Sequence, residues 1–196
     1  MARVVTRAPR RPSGYTADEY LGLVDEGVLG ADDRVELLEG LIVVSEPQNP
    51  SHASGVWRAH RVLERAVGDR AIVRGQLDYI AGPCSVPEPD VAVVPPVPDG
   101  YASAHPAHAH LVLEVAHSSL AQDRLTKCLI YAKANIPQYV IVNLRDDCVE
   151  NYVAPSPPRR RYRERTVLVR GERFQLVTFP EVTIAVDDLL PPRIDD

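Results

Sequence analysis

Lysine is almost missing from this chain, because all but two of its 22 basic residues are arginine. The two exceptions, Lys127 and Lys133, lie in one predicted helix. A lysine ammonium is a compact point charge that can pair with a phosphate oxygen or an attacking water, whereas arginine presents a planar fork. The composition therefore favours a special role for at least one of these lysines, although two exceptions also fit chance.

Cysteine and long apolar runs are scarce as well. Cys84, Cys128 and Cys148 form no CxxC motif, which argues against a disulfide or zinc framework and fits reduced thiols in a cytosol. No apolar run approaches the roughly 20 residues of a membrane span, and the basic start of the chain lacks the apolar stretch of a secretory signal. We therefore expect a cytoplasmic protein without a membrane partner.

Motifs of several common activities are absent from the sequence. Neither GxGxxG nor GxxxxGK[ST] occurs, so a dinucleotide-binding or P-loop role has no support. The lack of GxSxG gives no support to a covalent hydrolase of that type. The chemistry must therefore be sought in individual polar residues.

The size and composition are those of an ordinary globular protein, with 196 residues of which 45% are hydrophobic and 25% charged. We predict a single domain over residues 14–190, a disordered basic tail at 1–13 and a short tail at 191–196. Residues 1–12 contain four arginines, and residues 159–165 contain five arginines and one glutamate. The rest of the chain is acidic, which excludes a protein that binds nucleic acid over its whole surface. An acidic metal site flanked by these two basic segments, which could bind phosphate, is compatible with this distribution.

Periodicity and turn residues predict an α/β fold, with one sheet and helices packed against it. Thr16 and Glu19 form a capping box before a first helix, and Ser51 is a candidate cap for a second. The helices are expected from about residue 17 and over 52–67 and 120–134. Extended segments are expected at 34–44 (a hairpin around Glu39-Gly40), 71–80, 91–94, 111–116, 139–144, 149–153, 161–169 and 173–177, with a terminal turn at 187–190.

Two carboxylates interrupt apolar strands. Asp90 follows Pro89 and opens the strand at 91–94, and Glu114 is the single charge within Leu-Val-Leu-Glu-Val-Ala. An ionised group in an apolar site is costly without a partner, and two carboxylates directed at one point repel each other unless a cation lies between them. Mg²⁺ is commonly held by one or two carboxylates and several waters. The pair therefore predicts a magnesium site, at which Mn²⁺ is expected to substitute.

An ordered set of short motifs resembles a known family. The set comprises Pro89-Asp90, Glu114-Val115-Ala116, Asp123 with Lys127, Tyr131 and the segment 136–142, with upstream matches at 15–21, 36–40 and 50–52. In this order they resemble the Uma-type restriction endonucleases, a branch of the PD-(D/E)XK nuclease superfamily, over roughly residues 14–190. The resemblance implies a restriction-endonuclease-like core, in which a mixed central β-sheet is flanked by helices and accompanied by extra β-hairpins.

The resemblance also implies a Mg²⁺-dependent endonuclease that hydrolyses DNA. Asp90 and Glu114 would be the metal ligands, Lys127 would contact the scissile phosphate or the attacking water, and Glu36 would complete the metal shell. The superfamily lysine stands two residues after the glutamate, where this chain has Ala116. In the Uma-type pattern a lysine of the following helix takes that role, and Lys127 matches it.

His52 and Gln76 are candidate auxiliary groups of the same site. Three histidines in a Pro/Ala-rich loop, at positions 105, 108 and 110, have spacing that could suit a transition metal, but no fourth ligand is evident and an ordinary loop is the favoured interpretation. A homodimer is expected, because a two-fold axis suits the cleavage of two antiparallel strands.

Each site residue also has a structural interpretation. Asp90 could cap a turn, and Glu114 could pair with an arginine. Lys127 stands four residues after Asp123, a helical ion-pair spacing worth only tenths of a kcal/mol. Glu36 could lie on a solvated acidic face, and His52 could simply be a residue at a helix start.

Two alternative functions remain open at the level of sequence. Ala116 and the acidic body favour a catalytically inactive nuclease-fold module that binds nucleic acid or a protein. A metal-dependent hydrolase of another phosphate ester would share the site and differ only in its substrate.

Overall fold

The computed structural model describes residues 14–30, 33–45 and 48–193. The tail predicted at 1–13 lies outside the described residues, as do residues 194–196 of the second predicted tail. The described residues 191–193 contact the body of the protein. The Arg193 guanidinium donates to Asp147 at 2.8 Å, and the Pro191 carbonyl accepts a hydrogen bond from Arg170 at 2.7 Å.

The first elements form a helix and a hairpin around a small core of their own. Helix α1 (Ala17–Asp25) begins with the predicted capping box of Thr16 and Glu19. Strands β1 (Val35–Leu38) and β2 (Leu41–Val44) pair as an antiparallel hairpin and pack against α1. A β-bridge between Leu37 and Val86 attaches this hairpin to the rest of the fold.

A six-stranded mixed sheet forms the centre of the fold, as predicted. Its strands lie side by side in chain order, and neighbours are antiparallel except for the third and fourth of the six, which are parallel. The three inner runs that the sequence marks as most apolar are buried throughout, which is typical of strands covered on both faces. The strands are β3 (Ile72–Gly75), β4 (Val91–Val94), β5 (Leu111–Ala116), β6 (Gln138–Asn143), β7 (Cys148–Ser156) and β8 (Arg161–Val169).

Helices cover both faces of this sheet. On one face lies α2 (Pro50–Val67), together with the pair β9 (Arg173–Gln175) and β10 (Thr183–Ala185) and the short α5 (Val186–Leu189). The other face is covered by a continuous helical segment that consists of α3 (Leu120–Gln122), a π-helix (Asp123–Lys127) and α4 (Cys128–Lys133). This segment is the crossover that a parallel β5–β6 pair requires. Within the described residues, no helix has the length and apolar character needed to cross a membrane.

The structure departs from the predicted elements in places. The strand predicted at 71–80 ends at Gly75, because Gln76 has a φ of 51° and its amide is shared between the carbonyl of Pro89, at 3.1 Å, and that of Asp90, at 3.3 Å. The cap of α2 is Asn49 rather than Ser51, since the Asn49 side chain accepts from the His52 amide at 2.9 Å. Strand β10 was not predicted from the sequence.

The packing of α2 on β5 leads to a prediction about two glycines. A Cβ added at Gly55 would lie 2.8 Å from Val115 Cγ1, whereas a Cβ at Gly22 in α1 would meet nothing within 4 Å. We expect Gly55→Ala to lower the free energy of unfolding by about 1–3 kcal/mol through overpacking. Gly22→Ala should raise it by up to about 1 kcal/mol. Thermal denaturation followed by circular dichroism checks both, and stabilisation of the Gly55 variant would contradict the packing argument.

Candidate active site

The predicted site residues lie around one small polar cleft of about 90 Å³. They come from β1, from the first turn of α2, from the turn after β3, from the residue just before β4, from β5 and from the π-helix. The structure brings all six of them together: Glu36, His52, Gln76, Asp90, Glu114 and Lys127.

Asp90 and Glu114 are neighbours on adjacent strands. Val91 pairs with Leu113 in the antiparallel ladder, so Asp90 stands opposite Glu114. Each carboxylate accepts a hydrogen bond from the other strand: Asp90 Oδ2 from the Val115 amide at 2.8 Å, and Glu114 Oε2 from the Asp90 amide at 3.3 Å. Asp90 is therefore bound across the sheet, which is a different arrangement from a local turn cap.

Lys127 lies within ion-pair distance of two carboxylates. Its Nζ is 3.1 Å from Glu114 Oε1 and 3.2 Å from Glu36 Oε2, and its side chain is 9% exposed. Glu114 is thus paired with a lysine and not with an arginine. Burial lowers the pKa of Lys127, but the carboxylates of Glu114 and Glu36 outweigh this effect and hold the pKa well above its usual value.

The π-helix places Lys127 at the cleft. The Cys128 amide donates to the Asp123 carbonyl, which is the i to i+5 bond of this rare helix type. Lys127 consequently pairs with residues of β5 and β1, and the α-helical i, i+4 relation to Asp123 does not apply. Ala116, where the superfamily lysine would stand, is fully buried in the core between the sheet and α4.

Glu36 is buried and bonded on both carboxylate oxygens. It is 2% exposed, and its Oε2 accepts from the Glu88 amide at 3.2 Å as well as from Lys127. Its Oε1 accepts from Gln122 Nε2 at 3.3 Å. The interpretation of Glu36 as part of a solvated acidic face is therefore wrong.

His52 and Gln76 contact the two oxygens of Asp90. His52 Nε2 lies 3.1 Å from Oδ2, and Gln76 Nε2 donates to Oδ1 at 3.3 Å. His52 Nδ1 is buried and has no hydrogen-bond partner among the described residues. Both side chains can thus fix the orientation of the Asp90 carboxylate.

Three further residues of the site were not assigned roles from the sequence. The Tyr131 hydroxyl donates to Glu114 Oε1 at 2.7 Å. Asp123 is buried in the cleft and accepts from the Ser119 hydroxyl at 2.8 Å. Burial raises the pKa of Glu88, which also lines the cleft, to about 7. Tyr131 and Asp123 belong to the motifs that resemble the family, whereas Glu88 has no signal beyond its place before Pro89-Asp90.

The donor set fits a hydrated hard cation. Burial raises the pKa of Glu114, and the nearby Asp90 carboxylate raises it further, while Lys127 opposes these effects. A cation between the two carboxylates would relieve their repulsion, and Mg²⁺ needs only one or two such ligands. No group of three or more His, Cys, Asp or Glu side chains within residues 14–30, 33–45 and 48–193 is arranged to hold a metal ion.

The three loop histidines lie apart from this cleft. His110 packs edge-on against Phe179 with ring centroids 5.3 Å apart, and His105 lies 3.9 Å from Asp78. His108 borders a separate surface groove with His105. Their contacts are those of residues that pack a loop against the fold.

Comparison with known proteins agrees with the resemblance seen in the sequence. Residues 17–187 match the Uma2 family, whose description is "Putative restriction endonuclease". The chain is also similar to a solved structure from Anabaena variabilis ATCC 29413, described as "a putative nuclease belonging to DUF820". The TM-score is 0.71 and the sequence identity is 19%, and the match covers 89% of this chain and 97% of that chain. At this identity the likeness shows the shared fold alone. No curated protein matches. Because the family match spans most of the sequence, the chain belongs to the Uma2 family of restriction-endonuclease-like proteins.

Proposed function

We propose that this protein is a Mg²⁺-dependent endonuclease that hydrolyses phosphodiester bonds in DNA. The observation that carries the proposal is the buried Lys127 ammonium, which lies 3.1 Å from Glu114 in the cleft that also contains Asp90. Family membership supports the choice of DNA as the substrate. The two carboxylates on adjacent strands support metal dependence.

The residues of the cleft have distinct tasks in this mechanism. Asp90 and Glu114 would hold Mg²⁺, which when bound stabilises negative charge on a phosphate oxygen and orients a water for in-line attack. Mn²⁺ would take the same oxygen ligands. Lys127 donates to a phosphate oxygen or to the attacking water, and Glu36 keeps this ammonium charged and in position.

The alternative functions have less support from the site. Ala116 favours an inactive binding module, but Lys127 supplies an ammonium to the same cleft from another element. A hydrolase of a different phosphate ester would use the same residues, and the family match is what favours DNA. The homodimer and the cytoplasmic location stay predictions from the sequence.

Titration calorimetry with Mg²⁺ and with Mn²⁺ tests the proposal. We expect the unaltered protein to bind either ion and Asp90→Ala to lose the binding, because one of two carboxylate ligands is removed. Asp69→Ala, at an exposed position after α2, is the matched control and should bind the metal normally. Plasmid cleavage should follow the same pattern.

Two outcomes would count against the proposal. Metal binding that survives Asp90→Ala would remove Asp90 from the ligand set. DNA binding that depends steeply on salt, in a protein that binds no metal and cleaves no plasmid, would favour the inactive module.

A further inference from the structure

The outer face of α2 carries an exposed tryptophan beside arginines. Trp57 is 57% exposed, and the Arg61 guanidinium lies over its ring at 5.1 Å from the centroid. Arg65 follows at the next i, i+4 position, so the three side chains form a stripe along one helix face. A large ring left this open to solvent is not explained by packing within the described fold.

This stripe borders a surface groove of about 720 Å³ that adjoins the active-site cleft. Gln48 and Gln76 line both the groove and the cleft. Gln76 also donates to Asp90 at 3.3 Å. Trp57 stands five positions after His52 of the cleft on the same helix, which corresponds to about 7.5 Å along the helix axis.

The charge of the groove suits a polyanion, in contrast to the acidic body of the chain. Helix α2 contains three arginines and one glutamate. Arg61, Arg65 and His60 line the groove, and Glu64 is the single carboxylate among its described lining residues. Aromatic rings beside arginines are how proteins hold single-stranded nucleic acid, because each unpaired base offers a face for stacking and each phosphate a charge.

We propose that this groove binds an unpaired segment of the nucleic-acid substrate, with one base stacked on Trp57 and the adjoining phosphates paired with Arg61 and Arg65. A base within an intact duplex already has its two faces covered by neighbours, so stacking on Trp57 requires a single strand or a locally opened one. This inference deepens the proposed nuclease function and rests on it only for where the bound strand is cut. Binding of a single strand in the groove can be measured without catalysis.

The experiment uses the full chain with EDTA, so that cleavage plays no part. The chain has one tryptophan and eight tyrosines, so fluorescence excited at the red edge of the absorption band, where tyrosine does not absorb, reports on Trp57 alone. We expect a 20-nucleotide oligo(dT) to quench this fluorescence and to bind more tightly than a 20-base-pair duplex of mixed sequence. In anisotropy measurements with labelled oligo(dT), Trp57→Ala should weaken binding about tenfold, whereas Trp57→Phe should retain part of the affinity.

Matched variants separate stacking from general effects. Leu41→Ala removes another side chain that is 57% exposed but does not line the groove, and it should leave oligo(dT) affinity unchanged. Arg61→Ala should reduce the slope of log affinity against log salt by about 0.7, the value for one phosphate contact on a single strand. Arg163→Ala, at an exposed position of β8, should leave the quenching of Trp57 unchanged.

Three outcomes would overturn this inference while leaving the nuclease proposal to its own test. They are unchanged fluorescence at saturating oligo(dT), unchanged affinity of Trp57→Ala, and no binding of oligo(dT) by a protein that still cleaves plasmid DNA through Asp90. A change of sedimentation coefficient in Trp57→Ala, without an effect on oligo(dT) affinity, would instead assign this face to contact between copies of the chain.

Discussion

Replacing Lys127 with methionine is expected to reduce metal-dependent plasmid cleavage by at least 100-fold. Methionine keeps much of the length of the side chain but removes the positive charge that contacts the phosphate in the proposed mechanism. Loss of a single preorganised group that stabilises transition-state charge typically costs 10²–10³ in rate. Initial rates of plasmid nicking at saturating Mg²⁺ measure the effect. A variant that cleaves at the unaltered rate would remove Lys127 from the mechanism.

The second lysine of the chain supplies the control. Lys133 lies on the same helical segment, its side chain is 46% exposed and its Nζ is 3.7 Å from Glu39. An exposed ion pair of this kind contributes about 0–1 kcal/mol, so Lys133→Met should leave cleavage unchanged. Lys127→Met also leaves buried carboxylates without their cation, a change that typically costs about 3–5 kcal/mol. Circular dichroism at the assay temperature must therefore show that the variant is folded before its rate is interpreted.

The second large effect is expected from Glu150, which lies on β7, an inner strand of the sheet between β6 and β8, and does not line the cleft. Its side chain is 0% exposed, and it accepts hydrogen bonds from Arg124 Nε and Arg165 Nη2, both at 2.9 Å. The Tyr152 hydroxyl donates to it at 2.7 Å and Asn143 Nδ2 at 3.1 Å. Glu150→Leu should lower the free energy of unfolding by about 3 kcal/mol, which is the low end of the range for breaking a buried ion pair. The low end applies because both arginines can turn to solvent. Urea denaturation measures this loss.

The same residue predicts how stability depends on acid. Burial raises the pKa of Glu150, but hydrogen bonds from Arg124, Tyr152 and Arg165 outweigh it and lower the pKa to about 2. The folded-state pKa is thus below the unfolded value of about 4.3. The contribution of Glu150 is present above about pH 4.3 and is lost as the pH falls towards 2. The Leu variant should lose less stability than the unaltered protein over this range.

An exposed glutamate of the neighbouring strand gives the comparison for Glu150. Glu164 on β8 is solvent-exposed, so Glu164→Leu should change the free energy of unfolding by less than about 0.5 kcal/mol. If Glu150→Leu proves equally mild, or if its acid dependence matches that of the unaltered protein, then the arginine pairs do not stabilise the fold in the way described.

The central sheet could be predicted because its strands are strongly marked. The apolar runs at 91–94 and 111–116, the second broken only by Glu114, coincide with β4 and β5, since near-continuous apolar sequence is typical of strands buried on both faces. The mixed sheet and the family are confirmed. The predicted end of β3 was wrong because the backbone of Gln76 has a positive φ. Glutamine rarely adopts this conformation, so the sequence did not indicate it.

The sequence indicated only some of the residues that meet in the cleft. Asp90 and Glu114 stand out as charges within apolar strands, and Lys127 as a rare lysine. Glu88 and Gln122 reach Glu36 through a hydrogen bond each, and such contacts depend on how the β1–β2 hairpin docks on the sheet. The π-helix at Asp123–Lys127 also has no signal in the sequence, because the helical pattern of apolar residues does not distinguish it from an α-helical turn.

Because Lys127 is the last residue of the π-helix, the number of residues in this turn determines where its ammonium lies relative to the cleft. The turn from Asp123 to Cys128 is closed by an i to i+5 bond and holds one residue more than an α-helical turn. Deletion of one residue between Asp123 and Lys127 would leave an ordinary α-helical turn, in which these two side chains have a different angle around the helix axis. One of the two would then be displaced from the cleft, although no residue of the site had been replaced.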